Sequence, residues 1–433
     1  MSKACGKYTN ERDWIRAVWH IRMERLAIAN LLGDRPQERG ELEFLETWSK
    51  HLNQEDQALQ LLEARLRYLL DTGEISEAET AADRLVNSAK KAGDRSFLRR
   101  ACGWRAVVYR EQSRYPKAIS DFETAESCTE NELQRMEIWL DKGMTLVYAN
   151  RYQEAEKMLQ GAISIAQKYN DINSQGIAWN NLGICCGQQR KGLPAIEAYD
   201  RAIALYRQTG YKLGSAMACG NLSEIYLSRG QLDKALELSR QCQQLGAEAE
   251  DIISIGLGQD IEGRALAELG DDTGAADSFK KSLKVFCQVN DAVAQAMSGF
   301  YLVICLARSG NITEAEEFYR QLESLDYEDG RYGKGCHLAM ARAAILLAGK
   351  HEGPAVELLE RQLGHPFSQN QESGEIMLQL SVIYERQKES TKSREMLEGL
   401  QKIPGEKLTD LFKIRMYSSG WTLYSGMGLP AAA

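Results

Sequence analysis

The stretch WNNLGICCGQQRKGLPAIEAYDRAI, from Trp179 to Ile203, decides the fold of this protein. Its apolar residues recur three and four positions apart on both sides of a short break, which is the pattern of two amphipathic helices joined by a turn. The alanine at position 195 has equivalents along most of the chain, and every step between them is 40 residues except one of 37. Self-similarity at such a period predicts a stack of helical hairpins. The equivalents are Ala78, Ala118, Ala155, Ala235, Ala275, Ala315 and Ala355, and Glu38 and Ser393 extend the series to ten units.

Two further positions repeat together with this alanine. A small residue stands twelve positions before it in seven of the ten units, and a larger apolar residue stands four positions after it in most units. Small residues let two helix backbones approach closely, so we expect the larger side chain to fill the groove beside each crossing. Gly143 and Leu159, Gly183 and Tyr199, and Gly263 and Phe279 occupy these positions. Glycine-containing breaks between the two helices occur at Gly33-Asp34, Gly73-Glu74, Gly230-Gln231, Gly270-Asp271, Gly310-Asn311 and Gly349-Lys350.

This pattern resembles the tetratricopeptide repeat. Residues 179–203 carry the Trp, Leu-Gly, Ala, aromatic and Ala positions of that repeat, and CGNLSEIYLSRGQLDKALELSRQC, from Cys219 to Cys242, matches nearly as well. The forty-residue form is similar to the sensor arms of bacterial signal-transduction ATPases and maltose-type transcription activators, to peptide-binding quorum regulators and to spindle-orientation adaptors. The resemblance covers roughly residues 12–400. It implies an all-α fold, a right-handed α-solenoid superhelix of about ten hairpins with terminal capping helices.

The ends of the chain depart from the repeat. We expect residues 1–50 to form an N-terminal cap and a degenerate first repeat, because Glu38 replaces the alanine there, and residues 51–400 to form the superhelix. Residues 401–433 contain Pro404-Gly405 and then one further helical pattern. A solenoid needs a closing helix with a polar outer face. Both interpretations of this last segment stay open, a capping helix or a truncated further repeat.

Composition limits the possible functions. The chain has 433 residues, 44% hydrophobic and 26% charged, with a net charge of −8 and no basic run, which argues against direct binding of nucleic acid. No apolar stretch approaches the roughly 20 residues of a membrane span, and we expect a cytoplasmic protein that does not bind membranes. None of the ten cysteines forms a Cys-x-x-Cys pair, so we expect buried thiols, such as Cys102, Cys219, Cys242 and Cys305, rather than a zinc site or disulfides.

The sequence has no His-Glu-x-x-His motif and no nucleophile elbow, and we predict a protein that is not an enzyme and has no cofactor or metal. The five histidines are spread over the whole chain. Gly330–Gly335 (GRYGKG) resembles a phosphate-binding loop but lacks the full spacing, the Ser or Thr after the lysine and a preceding strand. An inter-repeat turn is the simpler interpretation of this segment.

The inner wall of the solenoid is therefore the candidate site, since the first helix of each hairpin lines the concave surface in proteins of this kind. An amide offers a donor and an acceptor together, so Asn180, Asn181 and Asn221 suit the backbone of an extended peptide. The resemblance implies the same role, because peptide-binding repeat proteins carry Asn at these inner positions; the alternative is a bond to a neighbouring helix. Arginines suit carboxylates and aromatic rings supply anchoring area. The full set of predicted partner-binding residues is Trp104, Tyr148, Asn180, Asn181, Asn221, Glu224, Arg264, Tyr301 and Arg308.

Three functions are compatible with this sequence. The first is a non-catalytic scaffold or regulatory adaptor that grips a protein or an extended peptide in the concave groove. The second is the ligand-sensing arm of a larger signalling ATPase or transcription activator. The third is a regulatory partner subunit of an enzyme such as a caspase-like peptidase. Self-association through the solenoid ends is compatible with each of them.

Overall fold

The computed structural model describes residues 11–31, 35–52, 55–327, 334–363 and 371–404. Within these ranges the chain forms twenty α-helices and no strand, which confirms the predicted all-α solenoid of ten hairpins. The described residues up to Asp171 form one compact unit (unit 1), and those from Ile172 onward form a second (unit 2). We call the first helix of each hairpin its A helix and the second its B helix.

Unit 1 contains four hairpins. Their helices are α1 (Glu11–Leu31), α2 (Arg35–Leu52), α3 (Glu55–Asp71), α4 (Ile75–Ala92), α5 (Arg95–Glu111), α6 (Tyr115–Ser127), α7 (Glu132–Tyr148) and α8 (Tyr152–Lys168).

Unit 2 contains six hairpins. Their helices are α9 (Ile172–Gln188), α10 (Gly192–Thr209), α11 (Lys212–Ser228), α12 (Leu232–Glu248), α13 (Ile252–Glu268), α14 (Asp272–Gln288), α15 (Ala292–Arg308), α16 (Ile312–Ser324), α17 (Lys334–Ala348), α18 (Glu352–Leu363), α19 (Gln371–Arg386) and α20 (Ser390–Gln401).

The helix crossings are as tight as the repeated small residues predict. A methyl group added at Gly183 would lie 2.6 Å from Cε1 of Tyr199. The same addition at Gly263 would lie 2.9 Å from the Phe279 ring. Protein interiors are close-packed, and the absence of a Cβ at Gly183 and Gly263 leaves room for these two rings. The repeated alanines that follow each turn, including Ala195, are fully buried.

Each hairpin turn that the structure describes has one residue in the left-handed region. At Gly230 φ is 70°, and the amide of Gln231 donates to the Tyr226 carbonyl at 2.9 Å, which closes the preceding helix in a Schellman motif. Several hairpins place a residue other than glycine there, as at Arg190 with φ 57°. In the Gly349-Lys350 break the left-handed residue is Lys350, with φ 61°. Glycine adopts this conformation most readily, so Gly349 was the expected residue. The break at Gly33-Asp34 and the loop-like Gly330–Tyr332 segment lie outside the described residues.

Polar substitutions within the repeat are compensated locally. Glu38, which replaces the repeat alanine, is 2% exposed, and Arg35 donates to its carboxylate at 2.6 Å. The predicted closing segment after Pro404 lies outside the described residues. No helix in the described ranges combines the length and the apolar character of a membrane span.

The cysteines behave as the sequence predicts. Of the nine described cysteines, Cys287 is exposed and the other eight are buried, and all nine are free thiols. Burial raises the pKa of the Cys219 thiol to about 11 and that of Cys242 to about 12, so both are protonated at neutral pH. Buried protonated thiols act as small apolar groups rather than as nucleophiles.

Candidate functional site

The candidate site in unit 2 lies on its A helices α9, α11, α13 and α15. We call their exposed and half-buried side chains, together with the buried Asn180, the A-helix wall of unit 2. Equivalent residues on successive A helices are about forty positions apart in the chain, and their side chains contact one another directly. The wall is therefore built by side chains that are remote in sequence and adjacent in space.

Two of the predicted asparagines meet on this wall. Asn221 donates through Nδ2 to Oδ1 of Asn180 at 3.3 Å, which joins α11 to α9. Asn180 is only 6% exposed, so most of its hydrogen-bonding capacity faces the protein. Asn181 and Asn221 are half-buried and remain on the wall surface. The bond to a neighbouring helix, one of the two interpretations of these residues, is thus present, and Asn221 keeps its carbonyl oxygen for a second partner.

Glu224, Arg264 and Asp260 form the charged centre of the wall. Arg264 donates from both terminal nitrogens to the two carboxylate oxygens of Glu224, at 2.7 and 3.0 Å. Its Nη1 lies 3.9 Å from Oδ2 of Asp260, one turn earlier on the same helix. The two-fold pairing of a guanidinium with a carboxylate fixes the orientation of both groups. Arg264 is thus already engaged by carboxylates of its own chain.

Burial and ion pairing shift the pKa values of Asp260 and Arg264 in opposite directions. Burial raises the pKa of the Asp260 carboxyl, while Arg264 and the hydroxyl of Ser298 oppose that shift. Burial alone would lower the pKa of Arg264, but the carboxylates of Glu224 and Asp260 outweigh it and raise the pKa further above its ordinary value. Arg264 therefore stays charged at every physiological pH.

Tyr301 closes this part of the wall on α15. Its ring lies 5.7 Å from the Arg264 guanidinium carbon and stacks on Phe279 with centroids 5.6 Å apart. Phe300, the preceding residue, is buried and packs at 4.6 Å against the ring of His337. The structure therefore brings Glu224, Arg264 and Tyr301 together.

Arg308, also on α15, is not part of this group. Its Nη1 lies 3.8 Å from Oδ1 of Asp272 at the start of α14. Arg308 occupies the end of the A helix, beyond the residues that join α13 to α15.

Unit 1 has a smaller polar group on α3 and α5. Trp104 donates through its indole Nε1 to Glu63 at 2.9 Å, and Arg100 lies 3.8 Å from the other oxygen of that carboxylate. The Arg67 guanidinium carbon lies 5.4 Å from the centre of the Trp104 ring. Trp104 is half-buried, with its indole N–H bonded to Glu63 and its ring in contact with Arg67.

Tyr148, the second predicted residue of unit 1, stands apart from this group. It ends α7, is exposed and stacks on Tyr115 with centroids 6.4 Å apart.

Comparison with known proteins identifies the repeat. A family model described as tetratricopeptide repeat matches residues 134–208 and 174–245. Residues 134–245 carry tetratricopeptide repeats. The matched stretches include α9 to α11 complete, and thus the Asn180–Asn221 and Glu224 positions of the wall.

One curated relative and three solved structures are similar to this chain. Regulatory protein AfsR of Streptomyces coelicolor is 30% identical over 123 residues, which is 28% of this chain and 12% of AfsR. The chain thus matches only a small part of that relative's length.

The solved structures share the fold. The apo form of RapI has a TM-score of 0.58 at 11% identity, over 85% of this chain and 99% of its own. The quorum sensor NprR from B. thuringiensis scores 0.55 at 12% identity, over 88% and 97%. A signal-transduction ATPase with a tetratricopeptide-repeat sensor, from Pyrococcus horikoshii, scores 0.56 at 13% identity, over 84% and 55%. The predicted resemblance to sensor arms and quorum regulators is confirmed at the level of fold.

Two parts of the A-helix wall were not predicted from the sequence. The first is a buried hydroxyl pair behind Asp260: Ser298 donates to Asp260 at 2.7 Å, and Ser282 donates to the Gly256 carbonyl at 2.9 Å. Serines on a helix give no sequence signal for such a role. The second is an apolar stripe of one large residue on each A helix. The stripe consists of Ile177, Met217, Leu257 and Met297, which are exposed or half-buried and follow one another at intervals of forty residues.

The wall offers chemistry for binding. It combines amides, one ion-paired cluster and apolar side chains on a close-packed helical scaffold. In the part of the chain that the structure describes, no group of His, Cys, Asp and Glu residues has the arrangement of a metal site. Its positions are fixed by helix crossings rather than by loops, which is the arrangement that pre-organises a binding surface.

Proposed function

We propose that the protein is a non-catalytic regulatory adaptor whose A-helix wall in unit 2 binds an extended peptide segment of a partner protein. The observation that carries this proposal is the continuous wall over four successive A helices, in which Asn180–Asn221 and Glu224–Arg264 link neighbouring hairpins. A surface of this kind spans several hairpins, and an elongated ligand can contact all of them. A peptide with unpaired backbone amides also suits Asn181 and Asn221 as donors and acceptors.

The adaptor interpretation agrees with the rest of the chain. Eight of the nine described cysteines are buried, and the exposed one, Cys287, lies on a B helix away from the wall. The wall carries charges of both signs, as in Glu224 beside Arg264, which does not favour a polyanion such as nucleic acid. We propose a cytoplasmic protein with a protein or peptide partner.

A photo-crosslinker on the wall tests this proposal. Replacing Met217 by benzoylphenylalanine in the full chain puts the reactive group on the stripe, and replacing Leu193 puts it on B helix α10, where that side chain is 69% exposed. Irradiation of cells should give an adduct with a partner segment from position 217 and none from position 193. Equal adducts from both positions, or none from position 217 in the native host, would contradict the proposal.

The match with AfsR favours a second candidate, a sensor arm within a larger regulator. Only 12% of AfsR is matched, so its activity is not transferred to this chain. In this alternative the wall binds a small inducer or inhibitor. A thermal-shift screen with a metabolite library would support it if one compound stabilised the chain and blocked crosslinking from position 217, and a partner protein adduct insensitive to every compound would argue against it.

A further inference from the structure

The apolar stripe of unit 2 has a regular spacing. Ile177, Met217, Leu257 and Met297 occupy the same position of successive A helices, and Met217 and Leu257 are 49% and 44% exposed. One turn earlier, α11, α13 and α15 also carry apolar residues, namely Leu213, Ile253 and Val293. Single exposed apolar residues are normal on protein surfaces, but a contiguous row of them marks an interaction site.

The spacing of the stripe selects a ligand conformation. Packed helices lie about 8–10 Å apart, and side chains of neighbouring A helices are in hydrogen-bond contact here. A polyproline II segment rises about 3.1 Å per residue with three residues per turn, so its residues i, i+3 and i+6 share one face at intervals of about 9 Å. Such a peptide also leaves its backbone donors and acceptors open for Asn181 and Asn221, whereas an α-helix satisfies its own.

The charged residues Glu224, Asp260 and Arg264 near the stripe determine which charged side chain of a ligand would bind there. Glu224 lies two turns after Met217 on α11, and Asp260 lies one turn after Leu257 on α13. These two carboxylates share a single guanidinium, that of Arg264, whose two terminal nitrogens both bind Glu224. A carboxylate on the ligand would have to displace Glu224 from Arg264. A ligand cation would instead bind Glu224, whose side chain is 44% exposed, whereas Asp260 is nearly buried and accepts a hydrogen bond from Ser298.

We infer that the wall of unit 2 takes a peptide in an extended, polyproline II-like conformation, with apolar side chains at every third residue and one Lys or Arg directed at Glu224. This inference rests on the proposed function and specifies its ligand. The apolar side chains contact Met217, Leu257 and Met297 in turn. The peptide runs across the A helices rather than along one of them.

Selection from a phage library of random dodecapeptides on the immobilised full chain tests the inference. The enriched peptides should carry apolar residues at i, i+3 and i+6 and one basic residue. A peptide chosen from them should bind at least about ten-fold more weakly to Glu224→Gln, because a charge-assisted bond is lost. Leu257→Asp should weaken it by a similar factor.

Two exposed B-helix substitutions serve as matched controls. Leu193→Asp repeats the apolar-to-acid change on α10, and Glu317→Gln repeats the charge removal on α16, both away from the wall. Binding to these variants should equal that to the wild type. Comparable thermal unfolding of all four variants separates lost binding from lost folding.

The outcomes separate the inference from the proposed function. Enriched peptides that depend on Leu257 but carry acidic residues, or apolar residues seven apart as on a helix, would overturn the inference and leave a peptide-binding wall. Peptides insensitive to both wall substitutions would overturn the inference and its site. A library that yields no peptide above the level of empty beads would contradict the proposed function itself.

Discussion

Gly183→Ala tests the helix crossing that sets the spacing of the A-helix wall. The added methyl group would lie 2.6 Å from Cε1, 2.7 Å from Cδ1 and 2.9 Å from Cζ of Tyr199. The Tyr199 ring is 3% exposed and has no open side into which it can turn. Overpacking of this kind costs about 1–3 kcal/mol, whereas alanine is favoured over glycine in a helix by about 1 kcal/mol. We expect a net loss of about 0–2 kcal/mol.

Gly299→Ala is the matched control for this prediction. Gly299 lies in the interior of A helix α15, where an added methyl group would meet only Cδ1 of Leu322, at 3.8 Å. The helix-propensity gain is the same at both sites, so Gly183→Ala should be less stable than Gly299→Ala by the overpacking cost alone, about 1–3 kcal/mol.

Hydrogen exchange is the appropriate measurement because a long repeat array does not unfold as a single unit. The free energy of local opening is followed in α9 and α10 for Gly183→Ala and in α15 and α16 for Gly299→Ala. For each variant, the change in the free energy of local opening is taken relative to the same hairpin of the wild type. If this change is the same for Gly183→Ala as for Gly299→Ala, then the crossing is not close-packed and the reasoning is wrong.

Three further predictions concern ion pairs and thiols. Burial raises the pKa of Glu126, but hydrogen bonds from the Trp139 indole and from buried Lys142 outweigh it and lower that pKa. Glu126→Gln should therefore cost about 1.5–3 kcal/mol in the free energy of local opening of α6 and α7 at pH 7, measured by hydrogen exchange. The stability cost of Glu126→Gln should decrease when the pH is lowered below about 4, because the wild-type carboxylate also loses its charge there. A cost that does not change with pH would contradict this prediction. A double-mutant cycle of Glu224→Gln and Arg264→Met should give a coupling of about 1 kcal/mol, the upper end for partly exposed pairs, and zero coupling would refute the pairing. Iodoacetamide should label Cys287 first among the described cysteines in the native protein, as peptide mass mapping would show; equal labelling of the buried thiols would contradict their burial.

The hairpin fold could be predicted at residue level because its signals are local. Gly183 and Tyr199 are sixteen residues apart and belong to one hairpin, so their sizes record the crossing between α9 and α10 directly. The buried thiols were predictable for the same reason, since Cys219 and Cys242 occupy apolar positions of single helices.

The candidate wall was only partly predictable. Helical periodicity put Asn180, Glu224 and Arg264 on the A helices, but it did not show that Asn180 is nearly buried or that both nitrogens of Arg264 are held by Glu224. Each of those contacts joins residues about forty positions apart. The distance and orientation between two A helices depend on all the side chains packed between them, which no single repeat contains.

The sequence by itself determined the architecture, because a forty-residue repeat of small, large and left-handed positions specifies each helical hairpin through interactions within that hairpin. The tertiary structure alone decided the composition of the wall: which carboxylate engages Arg264, that Ser298 supports Asp260, and that Met217 and Leu257 stay exposed in one row. The physical reason is that burial and pairing are properties of the packed stack, set only when neighbouring hairpins bring their A helices into contact.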